Sequence, residues 1–284
     1  MGKIEFSKYH GQGNDFVIVD AIGRSLTLEE EKIRHICDRH FGIGADGLIL
    51  VRDSIDHDFY MDYYNMDGTR AEMCGNGIRC MAAFIFDRRL SRKDSLKIDT
   101  MAGSRIVDLD IEAGLPGNIC VDMGPPVFDP GQIPVNLDRE QIFGHKLQVE
   151  NKVFNINCIS MGNPHCVIFL DDHEDLQSIP IGIWGPLLEK HDLFPRNTNV
   201  EFVKVLEGGG IEMRIWERGV GETLACGTGA CAAGVCTIKL DGGRKSAVDV
   251  MVPGGRLEVG WESPSADVFL KGRVEHVFDG SYFP

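Results

Sequence analysis

Short apolar runs and alternating strips, separated by glycine-rich turns, dominate the chain; few stretches carry a helical period. Residues 3–9 and 15–20 predict two strands interrupted by Gly11-Gln12-Gly13-Asn14. The stretch from Leu26 to His40 predicts a helix, with Thr27 as N-cap and Glu29, Glu30 and Glu31 in its first turns. A glycine-rich turn at Phe41-Gly42-Ile43-Gly44-Ala45-Asp46-Gly47 leads into the apolar strand Leu48-Ile49-Leu50-Val51. A strand from Phe59 to Tyr64 ends at the turn Asn65-Met66-Asp67-Gly68. After a small-residue helix following Cys74, strand-like runs recur near 95–101, 104–111 and 118–122. Further on, strands are expected at 153–159, 166–170, 199–205, 211–216, 247–252, 256–261 and 266–278, with a helix near 173–190 and another after Cys226. Met123-Gly124-Pro125-Pro126-Val127-Phe128-Asp129-Pro130-Gly131, rich in glycine and proline, reads as a domain boundary.

The pattern repeats. Cys74 opens Cys-Gly-Asn-Gly-Ile-Arg-Cys and Cys226 opens Cys-Gly-Thr-Gly-Ala-Cys, 226 − 74 = 152 residues apart. Gly47-Leu48-Ile49-Leu50 lies 152 residues before Asn199-Val200-Glu201-Phe202, and Asn65 lies 152 before Glu217. Gly13-Asn14 precedes Gly162-Asn163 by 149. Such coincidences imply two similar halves, each with strands around one long helix, facing each other across a cleft.

Composition narrows the classes. At 284 residues, with 43% hydrophobic and 25% charged residues, the chain suits two ordinary globular domains. No apolar run approaches the ~20 residues that span a bilayer, so no membrane partner is expected. The first ten residues lack the apolar core of a secretory signal, and Gly2 is not followed by a myristoylation serine or threonine. The expected location is cytoplasmic. A net charge of −14 argues against a nucleic-acid partner, and the basic cluster Arg88-Arg89-Leu90-Ser91-Arg92-Lys93 reads as a solvated helix end. Nine cysteines, an odd number, disfavour a disulfide framework.

Two of those thiols have a chemical setting. At a helix N-terminus the free N–H groups and the dipole stabilise a thiolate. The Gly-x-Gly after each cysteine leaves backbone N–H groups open to an anion. Two such starts facing each other would hold a carboxylate with its α-carbon between two sulfurs. Inverting an α-amino-acid centre without a cofactor needs just this, a base on one face and an acid on the other. No paired Cys-x-x-Cys motif exists, and His165-Cys166 is too close to form a usual ligand pair, so no metal is expected. Gly42-Ile43-Gly44-Ala45-Asp46-Gly47 precedes a strand and opens no helix, unlike a dinucleotide loop. Asn14, Asn65, Asn163 and Asn199 suit an amino-and-carboxylate group, against a plain role in turns. Arg218 suits a second carboxylate, Glu217 an ammonium or a thiol, and His165 a thiol.

These motifs, His10-Gly11-Gln12-Gly13-Asn14-Asp15-Phe16, Phe41 to Gly47, Met73 to Cys80, Gly162-Asn163-Pro164-His165 and Glu217-Arg218-Gly219 through Ala225 to Ala230, resemble the diaminopimelate epimerases, in family order over nearly the whole chain. The resemblance implies a cofactor-independent epimerase interconverting LL- and meso-2,6-diaminopimelate, in lysine and peptidoglycan synthesis, and a homodimer. It implies an α/β (α+β) fold of two pseudo-symmetric domains, each a mixed, mostly antiparallel sheet curled around a central helix, with the active site in the cleft. The expected domains are 1–126 plus about 273–284, carrying Cys74, and 127–272, carrying Cys226. Cys74 and Cys226 would be the acid/base pair. Gly75, Asn76, Gly227 and Thr228 would bind the reacting carboxylate. Asn14, Asn65, Asn163, Asn199, Glu217 and Arg218 would hold the remaining polar groups, with His165 and Glu217 tuning the thiols. Three positions depart from the family pattern: Gly47 stands where some members carry a substrate-contacting Gln, Gln12 replaces a commoner apolar residue, and Phe278 replaces a common Tyr. Two alternatives stay open, a proline or hydroxyproline racemase of the same fold and a thiol redox or binding protein. Arg218 and the four asparagines favour a substrate with a polar distal end.

Overall fold

The computed structural model describes residues 3–283. In chain order its elements are β1 (Ile4–Gly11), β2 (Asn14–Asp20), α1 (Glu30–Cys37), β3 (Gly47–Arg52), β4 (Phe59–Asn65), α2 (Gly75–Asp87), β5 (Ser95–Thr100), β6 (Gly103–Glu112) and β7 (Leu115–Asp122). There follow β8 (His145–Val149), β9 (Lys152–Ser160), β10 (Pro164–Phe169), α3 (Ile181–Glu189), β11 (Asn199–Val205), β12 (Ile211–Glu217), β13 (Gly221–Thr223), α4 (Gly227–Leu240), β14 (Ala247–Val252), β15 (Gly255–Gly260), β16 (Phe269–Arg273) and β17 (Glu275–Tyr282). The fold is mixed α/β, mostly strands with four α-helices among the described residues. Contacts divide the chain into two compact units: residues up to Asp122 together with those from Lys271 onward, and Met123–Leu270.

In the first unit β17 pairs antiparallel with β1 and β1 with β2. β2 is parallel to β3, β3 antiparallel to β4, and β4 parallel to β5. β5, β6 and β7 continue antiparallel. The second unit repeats the succession. β8, β9 and β10 are antiparallel, β10 is parallel to β11, β11 antiparallel to β12, β12 parallel to β14, and β14 antiparallel to β15. The long helix follows β4 in one unit and precedes β14 in the other, after β12 and β13.

Burial explains why the apolar runs are unbroken where the sequence has them. In β3, Leu48 and Leu50 join a core with Ile33 and Ile36 of α1, while Ile49 turns to the other face and meets Gly77 of α2. Both faces are covered, so alternation disappears. In α2 every residue from Gly75 to Ile85 is buried, so the helix is covered on all sides, and Asn76 and Arg79 are polar groups within that buried stretch. The matching core of the second unit gathers Ile156, Cys166, Ile168, Val200 and Phe202 beneath Ile181 and Leu188 of α3. Each fully buried aliphatic side chain contributes about 1.5–3 kcal/mol.

Three elements differ from the sequence expectation. The first helix is shorter than 26–40. The Leu26 carbonyl accepts from Arg52 Nη2 at 2.7 Å, ahead of the helix, and Glu29, in place of Thr27, takes the N-cap position. The Asp38 carboxylate draws the His40 and Phe41 N–H groups into a turn at 2.7 and 2.8 Å, which ends it. The helix expected near 173–190 is a 3-10 turn, Leu176–Ser178, followed by α3, because Pro180 between them has no N–H to continue a ladder. The strand expected at 266–278 is two, β16 and β17; β8 and β13 had no signal strong enough to announce them. On β17, Phe278 lies edge-on to Phe6 with ring centroids 5.9 Å apart.

Candidate active site

Each motif cysteine is the N-cap of a long helix, Cys74 of α2 and Cys226 of α4, in extended backbone at φ/ψ −138/121° and −128/118°. Extended geometry is what an N-cap requires, and it leaves the first-turn N–H groups of Gly75–Gly77 and Gly227–Gly229 without ladder partners. Cys74 Sγ accepts the Gly77 N–H at 3.4 Å, the sulfur acting as a cap.

Around Cys74 the side chains form a directed chain. Asn14 Oδ1 lies 3.7 Å from Cys74 Sγ and accepts from Asn76 Nδ2 at 3.2 Å. Asn76 Oδ1 accepts from Arg79 Nη2 at 2.8 Å, and Arg79 also donates to Gln12 Oε1 at 2.6 Å. Gln12 Nε2 donates to the Arg273 carbonyl at 2.9 Å, a bond an apolar residue at position 12 would lack. At the other end Asn14 Nδ2 donates to Asp46 Oδ2 at 2.8 Å. Asp46 and Asp15 both pair with Arg39, at 2.7 Å each, and Asp15 pairs with Lys8 at 2.6 Å. Burial opposes ionisation of Asp15, but the bonds from Arg39 and Lys8 prevail and hold its carboxyl well below the usual range.

Around Cys226 the groups are different. Its sulfur lies 3.4 Å from Thr228 Oγ1, and Asn163 Nδ2 donates to Thr228 Oγ1 at 3.3 Å. His165, fully buried, places Nε2 2.9 Å from Asn163 Oδ1 and Nδ1 2.6 Å from Glu201 Oε1. Glu201 is fully buried too, and burial pushes its carboxyl up in spite of His165. Cys226 is 7% exposed as a residue. Burial, and next the Glu217 carboxylate, push its thiol well above the ordinary range, so the acidity expected of a helix-start thiol is outweighed here. His165 reaches Cys226 only through Asn163 and Thr228.

The remaining expected residues fall into two groups. Asn199 is wholly engaged in backbone: Nδ2 donates to the Pro164 carbonyl and Oδ1 accepts the Arg218 N–H, both at 2.9 Å. It thereby fixes the turn that carries Arg218, whose Nη1 donates to the Arg196 carbonyl at 3.1 Å. Glu217 accepts from Thr223 Oγ1 at 2.5 Å. Asn65 closes its own turn, receiving the Gly68 N–H at its carbonyl and donating Nδ2 to Thr69 Oγ1 at 3.2 Å. At Gly47 a Cβ would lie 2.6 Å from the Tyr63 ring and 2.7 Å from the Tyr64 carbonyl, so no longer side chain fits. Sequence reasoning did not single out Asp46, Arg79 or Glu201. The first two lie inside quoted motifs, and Glu201 lies inside a repeat-related strand where a charge interrupts an apolar run.

Solved structures show the fold. The fold is shared with a hydroxyproline epimerase from Agrobacterium vitis with bound trans-4-hydroxy-L-proline, at TM-score 0.71 and 12% identity over 99% of this chain and 91% of that one. It is shared with a PhzF-family phenazine biosynthesis protein from Bacillus anthracis, at TM-score 0.69 and 18% identity over the whole of both chains. Sequence comparison narrows this. The diaminopimelate epimerase family model matches residues 6–128 and 157–277. A diaminopimelate epimerase of Halothermothrix orenii is 45% identical over 282 residues, 98% of this chain and 97% of that protein. One of Methanococcus maripaludis is 40% identical over 279 residues, 98% and 99% of the two. The chain belongs to the diaminopimelate epimerase family.

Proposed function

We propose that the chain is an isomerase that interconverts LL- and meso-2,6-diaminopimelate by moving the α-proton between Cys74 and Cys226 without a cofactor. The observation that carries this reading is the placing of both cysteines at the same N-cap position of the two long helices, in a chain of this family. One sulfur, as thiolate, removes the α-proton, and the other, as thiol, returns a proton to the opposite face; direction of turnover exchanges the roles. The reaction requires both thiols to reach one α-carbon. The N–H groups of Gly75, Asn76, Gly227 and Thr228 are suited to take the carboxylate and the charge that spreads onto it as the proton leaves. Asn14, Asn65, Asn163, Asn199, Glu217 and Arg218 belong to the proposed substrate site, Asn199 by fixing the Arg218 turn. The raised Cys226 thiol suits the acid in the resting enzyme. In this reading the two units are pseudo-symmetric, each with its sheet curled around its long helix, and the enzyme works as a cytoplasmic homodimer in lysine and peptidoglycan synthesis.

The fold shared with the hydroxyproline epimerase makes a proline-type substrate the competing reading. Incubation with LL-diaminopimelate and, separately, with L-proline in deuterated water under reducing conditions decides between them. Deuterium at the α-carbon of diaminopimelate is expected; incorporation into proline alone, or into neither, would refute the proposal.

A further inference from the structure

The amide chain beside Cys74 runs in one direction only, and its two ends say why. Arg79 is fully buried and a guanidinium has donors only, so the atom of Asn76 it meets must be the carbonyl oxygen. Asn76 Nδ2 is then the group that faces Asn14, and Asn14 must receive it with Oδ1. At the far end Asp46 is ion-paired with Arg39, and its Oδ2 already accepts the Asp15 N–H at 3.0 Å, so Asn14 must present Nδ2 there. Both ends impose the same orientation on Asn14. A carbonyl oxygen, an acceptor, therefore stands 3.7 Å from Cys74 Sγ, where the other orientation would put an N–H donor. An acceptor favours the proton-bearing sulfur and a donor favours the thiolate.

We propose that Asp46 and Arg79 are positioning residues that lock Asn76 and Asn14 in this orientation and so make Cys74 hold its proton more tightly than the helix start alone would dictate. Neither needs to touch substrate. The Gly77 N–H pulls the sulfur toward the thiolate and the Asn14 carbonyl pulls it back, so a substrate group that engages Asn14 shifts the balance. The consequence for turnover rests on the epimerase reading; the orientation itself does not. The charged and titratable groups around this helix start are Asp15 from β2, Asp46 and Arg39 from the segment between α1 and β3, Lys8 from β1, and Arg79 and Cys80 from α2.

Asp46→Asn tests the lock. The substitution takes away the carboxylate that holds Asn14 Nδ2, so the Asn14 carbonyl is kept toward Cys74 by Asn76 alone and its pull on the sulfur weakens. Alkylation of Cys74 by iodoacetamide, followed by peptide mass spectrometry across pH without substrate, is expected to shift its midpoint down by about one unit, a roughly tenfold faster reaction near neutrality. The Cys226 profile stays in place. Arg39→Gln removes the ion pair but leaves Asp46 an acceptor, and is expected to leave the Cys74 profile unmoved. An unmoved profile in Asp46→Asn, or an equal shift in Arg39→Gln, overturns the proposal. If Asp46→Asn does not fold, through-hydrogen-bond NMR couplings in the unaltered protein decide. Coupling from the Asn14 side-chain nitrogen to the Asp46 carboxyl carbon, and from the Asn76 side-chain nitrogen to the Asn14 carbonyl carbon, is expected; the reverse order, or no coupling, overturns it. Because alkylation is read without substrate, loss of diaminopimelate turnover leaves this test intact.

Discussion

A Cβ placed on Gly77 at the first helix start would meet Met61 Cε at 3.1 Å and Ile49 Cδ1 at 3.2 Å. One on Gly229 at the second would meet Ile215 Cδ1 at 2.6 Å and Glu201 Oε1 at 3.0 Å. The backbone frame is the same, but the floor under the cysteine is not. Ile49 and Glu201 are 152 residues apart, and Phe16 and His165 are 149 apart, on the two parallel-paired strands of each unit. All four are fully buried. The first unit thus floors its cysteine with hydrocarbon, keeps its carboxylates in a partly exposed cluster of Asp15, Arg39 and Asp46, and buries a cation, Arg79, further along α2. The second buries an ionisable pair under its cysteine. The repeated frame keeps the placement of the two thiols and leaves the groups around them free to differ.

The comparison predicts first that neither half substitutes for the other. Cys74→Ala and Cys226→Ala are each expected to lower epimerisation by about 10³-fold, measured as loss of optical change with LL-diaminopimelate. Near-normal turnover in either would end the two-base mechanism.

The buried pair supplies the next largest effect. His165→Phe leaves the buried Glu201 carboxyl without its hydrogen-bond partner and is expected to cost roughly 3–5 kcal/mol in denaturant unfolding. Adding Glu201→Ile, which copies the floor of the first unit, should recover most of that loss. The sign with pH follows from Glu201. Its folded pKa is raised, so its favourable contribution is complete below the unfolded value of about 4.3 and is lost as pH rises through the folded value. The deficit of His165→Phe should therefore grow from pH 5 to pH 8. A pH-independent deficit, or a double variant worse than the single, would mean the pair carries no buried charge.

The smallest effect separates the two glycines. Gly229→Ala drives a methyl against Ile215 and the Glu201 carboxylate, an overpacking worth about 1–3 kcal/mol. Gly77→Ala meets the flexible end of Met61 and should cost less. Equal losses of thermal stability would show that the floors do not differ in their tolerance of added volume.

Much of this was readable in the chain. Strands β3, β11 and β12 appear almost to the residue, because their apolar runs are bounded by turns. The cysteine helix starts were marked by Gly-x-Gly and by the repeat. The polar residues were harder. Asn65 and Asn199 carry the same side chain and the same expectation, yet one closes its own turn and the other fixes the Arg218 turn from a neighbouring strand. Glu201 gave no signal beyond a charge in an apolar strand, since its partner His165 is 36 residues away.

The sequence by itself determined the duplicated frame, the two N-cap cysteines and the family, because local capping geometry and spacing depend on neighbours along the chain. Only the tertiary structure decided which way each amide points and how far burial raises the Cys226 thiol. Those depend on groups brought together from distant strands, Asp46 with Asn14 and Glu201 with His165, and on burial that no local pattern records.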